Sequence, residues 1–243
     1  MATLILVRHG RTSANATGVL AGRLPGVTLD DSGVGQADAV GERLSTVRLA
    51  DVVTSPLERC RQTARAITSR QGGDLRARPD KALSECDYGE WQGRQLKELA
   101  KDALWRTVQS QPSAVTFPGG ESMRGMQDRA VAAVRRHDAR VTEEAGADAV
   151  WVAVSHGDVI KSVLADALGT HLDLFQRIHV DPASVSMIRY TASRPVVLVT
   201  NTHGGDLAWL NPPKRRRSRP RSSDAVVGGG AGPGAGAGAG RGS

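Results

Sequence analysis

Residues 149–154 read Ala-Val-Trp-Val-Ala-Val, with no polar side chain until Ser155-His156-Gly157. A strand wet on one face alternates apolar and polar residues. An unbroken β-branched run suits a strand covered on both faces, as in the middle of a parallel sheet. A second such run, residues 3–7, stops at Arg8-His9-Gly10. Further strands are predicted at 51–54, halted by Ser55-Pro56, at 75–78, and late in the chain at 185–190 and 196–200. Helical spacing fills the intervals. Ala37, Val40, Gly41 and Leu44 share a face in 35–44, with Asp30 as N-cap; 57–70, 95–108, 121–144 and 158–168 follow, the last stopped by Gly169. Residues 82–93 and 112–120 carry paired glycines and are expected to be loops. Strands alternating with helices imply an α/β fold of three layers, α/β/α, around a mostly parallel central sheet.

A length of 243 residues suits one such domain. Aromatic residues make up only 3% of the chain, so the core must come from Val, Leu, Ile and Ala. After Asn211 the character changes: Pro212-Pro213, a basic run from Lys214 to Arg221, then an Ala/Gly repeat over 228–242. We expect a domain over 1–211 and a disordered basic, Ala/Gly-rich tail over 212–243. The tail holds seven Lys and Arg against Asp224, so it carries +6 of the net +7. The globular part is nearly neutral, which argues against nucleic acid as its partner, and the tail has no aromatic residues for base stacking. Cys60 and Cys86 form no disulfide framework and no metal spacing. Arg8 interrupts the N-terminal run too soon for a signal peptide, and no apolar stretch is long enough to span a bilayer. A cytoplasmic location is expected, with no membrane partner and an oligomeric state, monomer or homodimer, that the sequence leaves open.

Chemistry-bearing residues cluster at predicted strand ends, where open α/β sheets bind ligands. Arg8 and His9 follow the first strand, Ser55 and Arg59 the second, Glu85 the third, and His156 the apolar run before a helix whose N-terminal amides suit an anion. Two guanidinium groups match phosphate oxygens. An imidazole among them can attack phosphorus, and a carboxyl group can protonate the leaving oxygen and then deprotonate water.

The chain resembles the histidine phosphatase superfamily, the phosphoglycerate-mutase-like branch 1. The matching text is 8–15, 29–33 with Gln36-Ala37, 55–64, 83–93, Phe117-Pro118-Gly119-Gly120-Glu121-Ser122 and Ser155-His156-Gly157-Asp158. A lone Arg-His-Gly is weak; six segments in the family's order are specific, and they span nearly all of 3–201. The resemblance implies that His9 is the phosphorylated nucleophile, that Arg8, Arg59 and His156 hold the phosphoryl group, and that Glu85 is the proton donor. It implies further that Asn15 adds a side-chain amide, that the backbone amides of Gly157 and Gly22 complete the cradle, and that Tyr88 contacts substrate. It implies no metal and no cofactor. His9 must attack with a neutral nitrogen, so its other ring nitrogen is expected to donate to a backbone carbonyl.

The implied substrate is a small phosphorylated metabolite. Family mutases cover the site with a long Arg- and Pro-rich insertion; here 105–121 is short, Thr107 replaces a second Arg, and Leu96 stands where a substrate-binding Lys is expected. Hydrolysis is therefore favoured over the alternative, a phosphoglycerate-type mutase. A non-catalytic phosphate-binding scaffold is the second alternative. The segments 155–158 and 172–176 are similar to an actinobacterial branch labelled phosphomutase. Trp91, Arg94, Lys97, Trp105, Arg106 and Arg124 are the expected specificity residues. His137, His171, His179 and His203 are expected to be structural, and the two thiols unreactive.

Overall fold

The computed structural model describes residues 2–211; the expected tail lies outside the described residues. Six strands form one sheet in the order β3-β2-β4-β1-β5-β6. They are β1 (Thr3–Arg8), β2 (Leu49–Thr54), β3 (Arg78–Pro79), β4 (Val150–Ser155), β5 (Val185–Tyr190) and β6 (Pro195–Thr202). β4 runs parallel to β1 on one side and to β2 on the other, and every one of its residues is buried. The unbroken apolar run therefore occupies the place its composition requires. β5 pairs antiparallel with β1 and with β6, so the sheet is mostly parallel with an antiparallel flank.

Alternate side chains of each strand enter different cores, as the two-residue period of a strand demands. Ile5, Val7, Val52, Val152 and Val154 pack with Val40, Leu44, Cys60, Ala64 and Ile67, which belong to α2 (Asp31–Ser45) and α3 (Glu58–Thr68). Leu4, Leu6, Val53, Trp151 and Ala153 pack with Met126, Ala133, Ile160 and Leu164, from α6 (Met123–Ala145) and α7 (Gly157–Ala167). The result is the expected α/β/α sandwich. Among the described residues no helix is long and apolar enough to cross a membrane.

Three local expectations are corrected. The third strand is two residues, not 75–78: only Arg78 and Pro79 pair with Val53 and Thr54. Pro79 has no N–H to extend the ladder, and Asp80 at once caps a 3-10 turn, its carboxylate accepting from the amide of Ala82. The helix expected over 95–108 is two, α4 (Leu96–Leu99) and α5 (Ala103–Ser110), because Asp102 N-caps the second through the Leu104 amide. A short helix, α1 (Ser13–Thr17), occupies ground not expected to be helical. Thr12 and Asn15 close a capping box around its start.

Candidate active site

β1 and β4 are parallel neighbours in which Arg8 pairs with Ser155. The next residue on each strand is a histidine, so His9 and His156 emerge side by side. Their ring centroids are 5.2 Å apart, edge to face, and both rings are buried.

His9 Nδ1 lies 2.7 Å from the carbonyl oxygen of Gly10. A carbonyl only accepts, so Nδ1 carries the proton and Nε2 presents a lone pair. Arg59 Nε donates to that Nε2 at 3.3 Å. Burial, then the charges of Arg59 and Arg8, hold the His9 pKa well below the ordinary histidine value. His9 is therefore a neutral imidazole at pH 7, with its free nitrogen facing the arginines.

His156 takes the other tautomer. Arg59 Nη2 donates to its Nδ1 at 3.2 Å, so Nε2 carries the proton and donates to Ser55 Oγ at 2.7 Å. Burial first, then Arg59, His9 and Arg8, lower its pKa as well. The sequence places Ser55 at a strand end near the site; its part in orienting His156 has no signal in spacing.

Arg59 lies in the first turn of α3 and is 2% exposed. Its Nη2 also donates to the carbonyl of Gly22 at 2.6 Å. Arg8 Nη1 donates to the carbonyl of Val180 at 2.6 Å. These contacts leave Arg8 Nε and Arg59 Nη1 buried without a protein partner. Buried charged donors left over in this way are the mark of an anion site. α7 begins at Gly157, and its N-cap, His156, makes no side-chain bond to the first-turn amides. A Cβ on Gly157 would lie 3.5 Å from the Arg8 guanidinium carbon, so the helix N-terminus and Arg8 adjoin.

The loop carrying His9 is fixed by close backbone packing. The Gly10 amide donates to Thr63 Oγ1 at 3.1 Å, and a Cβ on Gly33 would overlap the carbonyl of Arg11.

Glu85 is half-buried, and its Oε1 accepts from the Cys86 amide at 3.0 Å. Burial most of all, then the nearby Asp158, pushes its pKa up to about 7. Its main chain is clamped. Arg23 Nε and Arg129 Nη2 donate to the Glu85 carbonyl at 2.8 and 3.1 Å, and both guanidinium groups are bound by Glu121, at 2.7 and 2.6 Å. The sequence shows Glu121 only as part of a matching segment, and nothing in it singles out Arg23 or Arg129.

The other expected residues are placed as follows. Asn15 is exposed, and its Oδ1 is committed to the α1 cap, accepting from the Thr12 amide at 3.1 Å and hydroxyl at 2.9 Å. Gly22 meets the site through its carbonyl on Arg59, where its amide was expected. Tyr88 is buried and donates to Asp158 Oδ2 at 2.7 Å. Trp91 is a core residue, 2% exposed and stacked on Trp105, so it does not line the crevice as expected. Arg94, Lys97, Arg106 and Arg124 are exposed. His203 and His179 both face Asp181, next to the Val180 carbonyl that holds Arg8. Cys60 Sγ lies 3.4 Å from His156 Nε2, and burial pushes its thiol up to about 12; burial raises that of Cys86 too.

Comparison with known proteins places this chain among phosphatases. The sequence profile of the histidine phosphatase superfamily (branch 1) matches residues 4–203. Fructose-2,6-bisphosphatase TIGAR of Xenopus tropicalis is 31% identical over 229 residues, 89% of this chain and 80% of its own. Glucosyl-3-phosphoglycerate phosphatase of Mycolicibacterium vanbaalenii is 33% identical over 173 residues, 70% of this chain and 76% of its own. The solved structure of Bacillus stearothermophilus YhfR superposes with a TM-score of 0.75 at 26% identity, covering 84% of this chain and 99% of its own.

Proposed function

Because the chain belongs to the histidine phosphatase superfamily, branch 1, and is a phosphatase, we propose that it hydrolyses a small phosphomonoester in two steps through His9. The observation that carries this reading is the state of the His9 ring: neutral, its proton held on Nδ1 by Gly10, its Nε2 lone pair turned toward buried guanidinium groups.

In the first step Nε2 attacks phosphorus. The bond to the substrate alcohol breaks, and the departing oxygen takes the proton of Glu85. Arg8 Nε, Arg59 Nη1 and the first amides of α7 receive the phosphoryl oxygens, and His156 supports Arg59 from the far side. In the second step water attacks the phosphohistidine, Glu85 accepts the water proton, and the N–P bond breaks to return the lone pair to Nε2. Charge is balanced by Arg8, Arg59 and the helix N-terminus, without a metal or cofactor. Water has access because the stretch after α5 is only a 3-10 turn, Pro112–Ala114, and the Thr116–Ser122 bridge.

The test is rapid acid or base quenching during turnover of p-nitrophenyl phosphate, with EDTA present throughout. Protein-bound phosphate that is acid-labile and base-stable is expected, and His9→Ala removes both the label and the turnover. A label that survives this substitution, or activity lost to EDTA alone, overturns the mechanism.

A further inference from the structure

The phosphate side of the crevice is all donors. The side where the alcohol portion of a substrate must lie is different. Asp158 is the second residue of α7, immediately beyond Gly157 and its neighbour Arg8. Its side chain is 26% exposed and so partly open to solvent. Oδ2 accepts from Tyr88 Oη at 2.7 Å. The one hydroxyl hydrogen of Tyr88 is thereby used, and what the phenol still offers a ligand is lone pairs. Asp158 also acts on Glu85, where its charge is the largest contribution after burial to the raised pKa. Beside the Glu85 acid, Tyr88 and Asp158 thus present oxygen acceptors.

Apart from Arg8 and Arg59, which face the phosphate side, the cations bonded to this wall have other partners. Lys161 Nζ is 3.7 Å from Asp158 Oδ1, but it donates to Gln176 at 3.0 Å and lies 5.4 Å from the Phe175 ring centroid, so it offsets the carboxylate in part. Arg23 is bound to Glu121, and Arg129 is bound there too. A substrate hydroxyl finds partners on this wall. A substrate carboxylate meets like charge.

We propose that Asp158 is a specificity-determining residue, selecting phosphate esters of uncharged, hydroxyl-bearing alcohols and disfavouring esters whose alcohol carries a carboxylate. The inference rests on the phosphatase reading above.

Glycerol 3-phosphate and 3-phosphoglycerate differ only in a hydroxymethyl group against a carboxylate. The wild-type enzyme is expected to favour the first in kcat/KM by roughly tenfold or more. Asp158→Asn should reduce that preference by about the same factor, through a gain on 3-phosphoglycerate. Tyr88→Phe keeps the Asp158 charge and should keep the preference, which separates charge from packing. Should Asp158→Asn prove insoluble, competitive inhibition of the wild type against p-nitrophenyl phosphate decides: tighter binding of glycerol 3-phosphate by a similar factor supports the proposal. Equal use of the two esters, preference for 3-phosphoglycerate, or a ratio unmoved by Asp158→Asn overturns it. If either result comes with a phosphorylated His9, the phosphatase reading stands and the specificity fails alone. If no phosphoenzyme forms with any ester, the function reading fails.

Discussion

Replacing Glu85 by Gln tests the site where its physics is most unusual. The carboxyl is pushed up to about 7, burial being the main cause and Asp158 the next. A raised carboxyl pKa means the proton is present below that value and lost as pH rises through it. At pH 6 the acid is ~90% protonated; at pH 8 about a tenth remains. Alkyl phosphates need that proton, because an alkoxide is a poor leaving group, while p-nitrophenolate leaves unaided. The ratio of kcat/KM for glycerol 3-phosphate over p-nitrophenyl phosphate should therefore fall about fivefold between pH 7 and 8. From pH 7 upward both esters are largely dianionic, so the ratio there follows the enzyme. In Glu85→Gln the ratio should be flat with pH and lower by ~10²–10³ at pH 6, the usual contribution of a general acid. The deficit should narrow tenfold by pH 8, where the wild type has lost most of its own acid. Steady-state assays from pH 5.5 to 8.5 on both proteins suffice. A wild-type ratio independent of pH, or a variant keeping a third of the wild-type rate on the alkyl ester at pH 6, refutes the assignment.

Two further outcomes can be checked. Trp151→Phe removes the indole donor 3.1 Å from buried Asp138 Oδ1; it should cost about 1–3 kcal/mol in urea unfolding, and an unchanged midpoint would deny that bond any part in stability. Both thiols are buried with raised pKa values, so iodoacetamide at pH 8 should label neither Cys60 nor Cys86 in the folded enzyme and both in urea; rapid native labelling at Cys60 with loss of activity would mean that the site opens.

Much of this protein is legible in its sequence, and the limit has a physical form. Patterns local to one segment carry through: the apolar run became β4, Asp30 caps α2, and Gly169 ends α7 with a left-handed turn. The two His-Gly pairs could be placed at strand ends, because strands stop visibly. That β1 and β4 are neighbours, in the register that sets His9 beside His156, depends on a pairing across more than 140 residues. Periodicity holds no record of such a pairing. Misreadings came where one residue overrides a pattern: Asp102 splits an otherwise continuous helical stretch, and Pro79 cuts an edge strand short. The supporting shell is the least legible part. Arg23 lies far in the chain from Glu121 and Arg129, and only the fold brings it to Glu121 and to the carbonyl of Glu85.

Burial has opposite formal effects on the acid and the bases of this site, and both serve one charge state. It lowers the pKa values of His9 and His156 and raises that of Glu85, driving all three toward their neutral forms. The two guanidinium groups of Arg8 and Arg59 remain as fixed cations. A phosphate monoester enters as a dianion, so two fixed positive charges match it without help from an imidazolium. Protonated His9 would improve binding of the dianion and abolish the nucleophile in the same event. Placing the cations on side chains that cannot release a proton keeps the attacking nitrogen free. Asp158 stands beyond this balance, because its carboxylate is taken up by the Tyr88 hydroxyl and Lys161. Its negative charge is therefore compatible with binding the reacting phosphate and unfavourable only to a second anion on the alcohol.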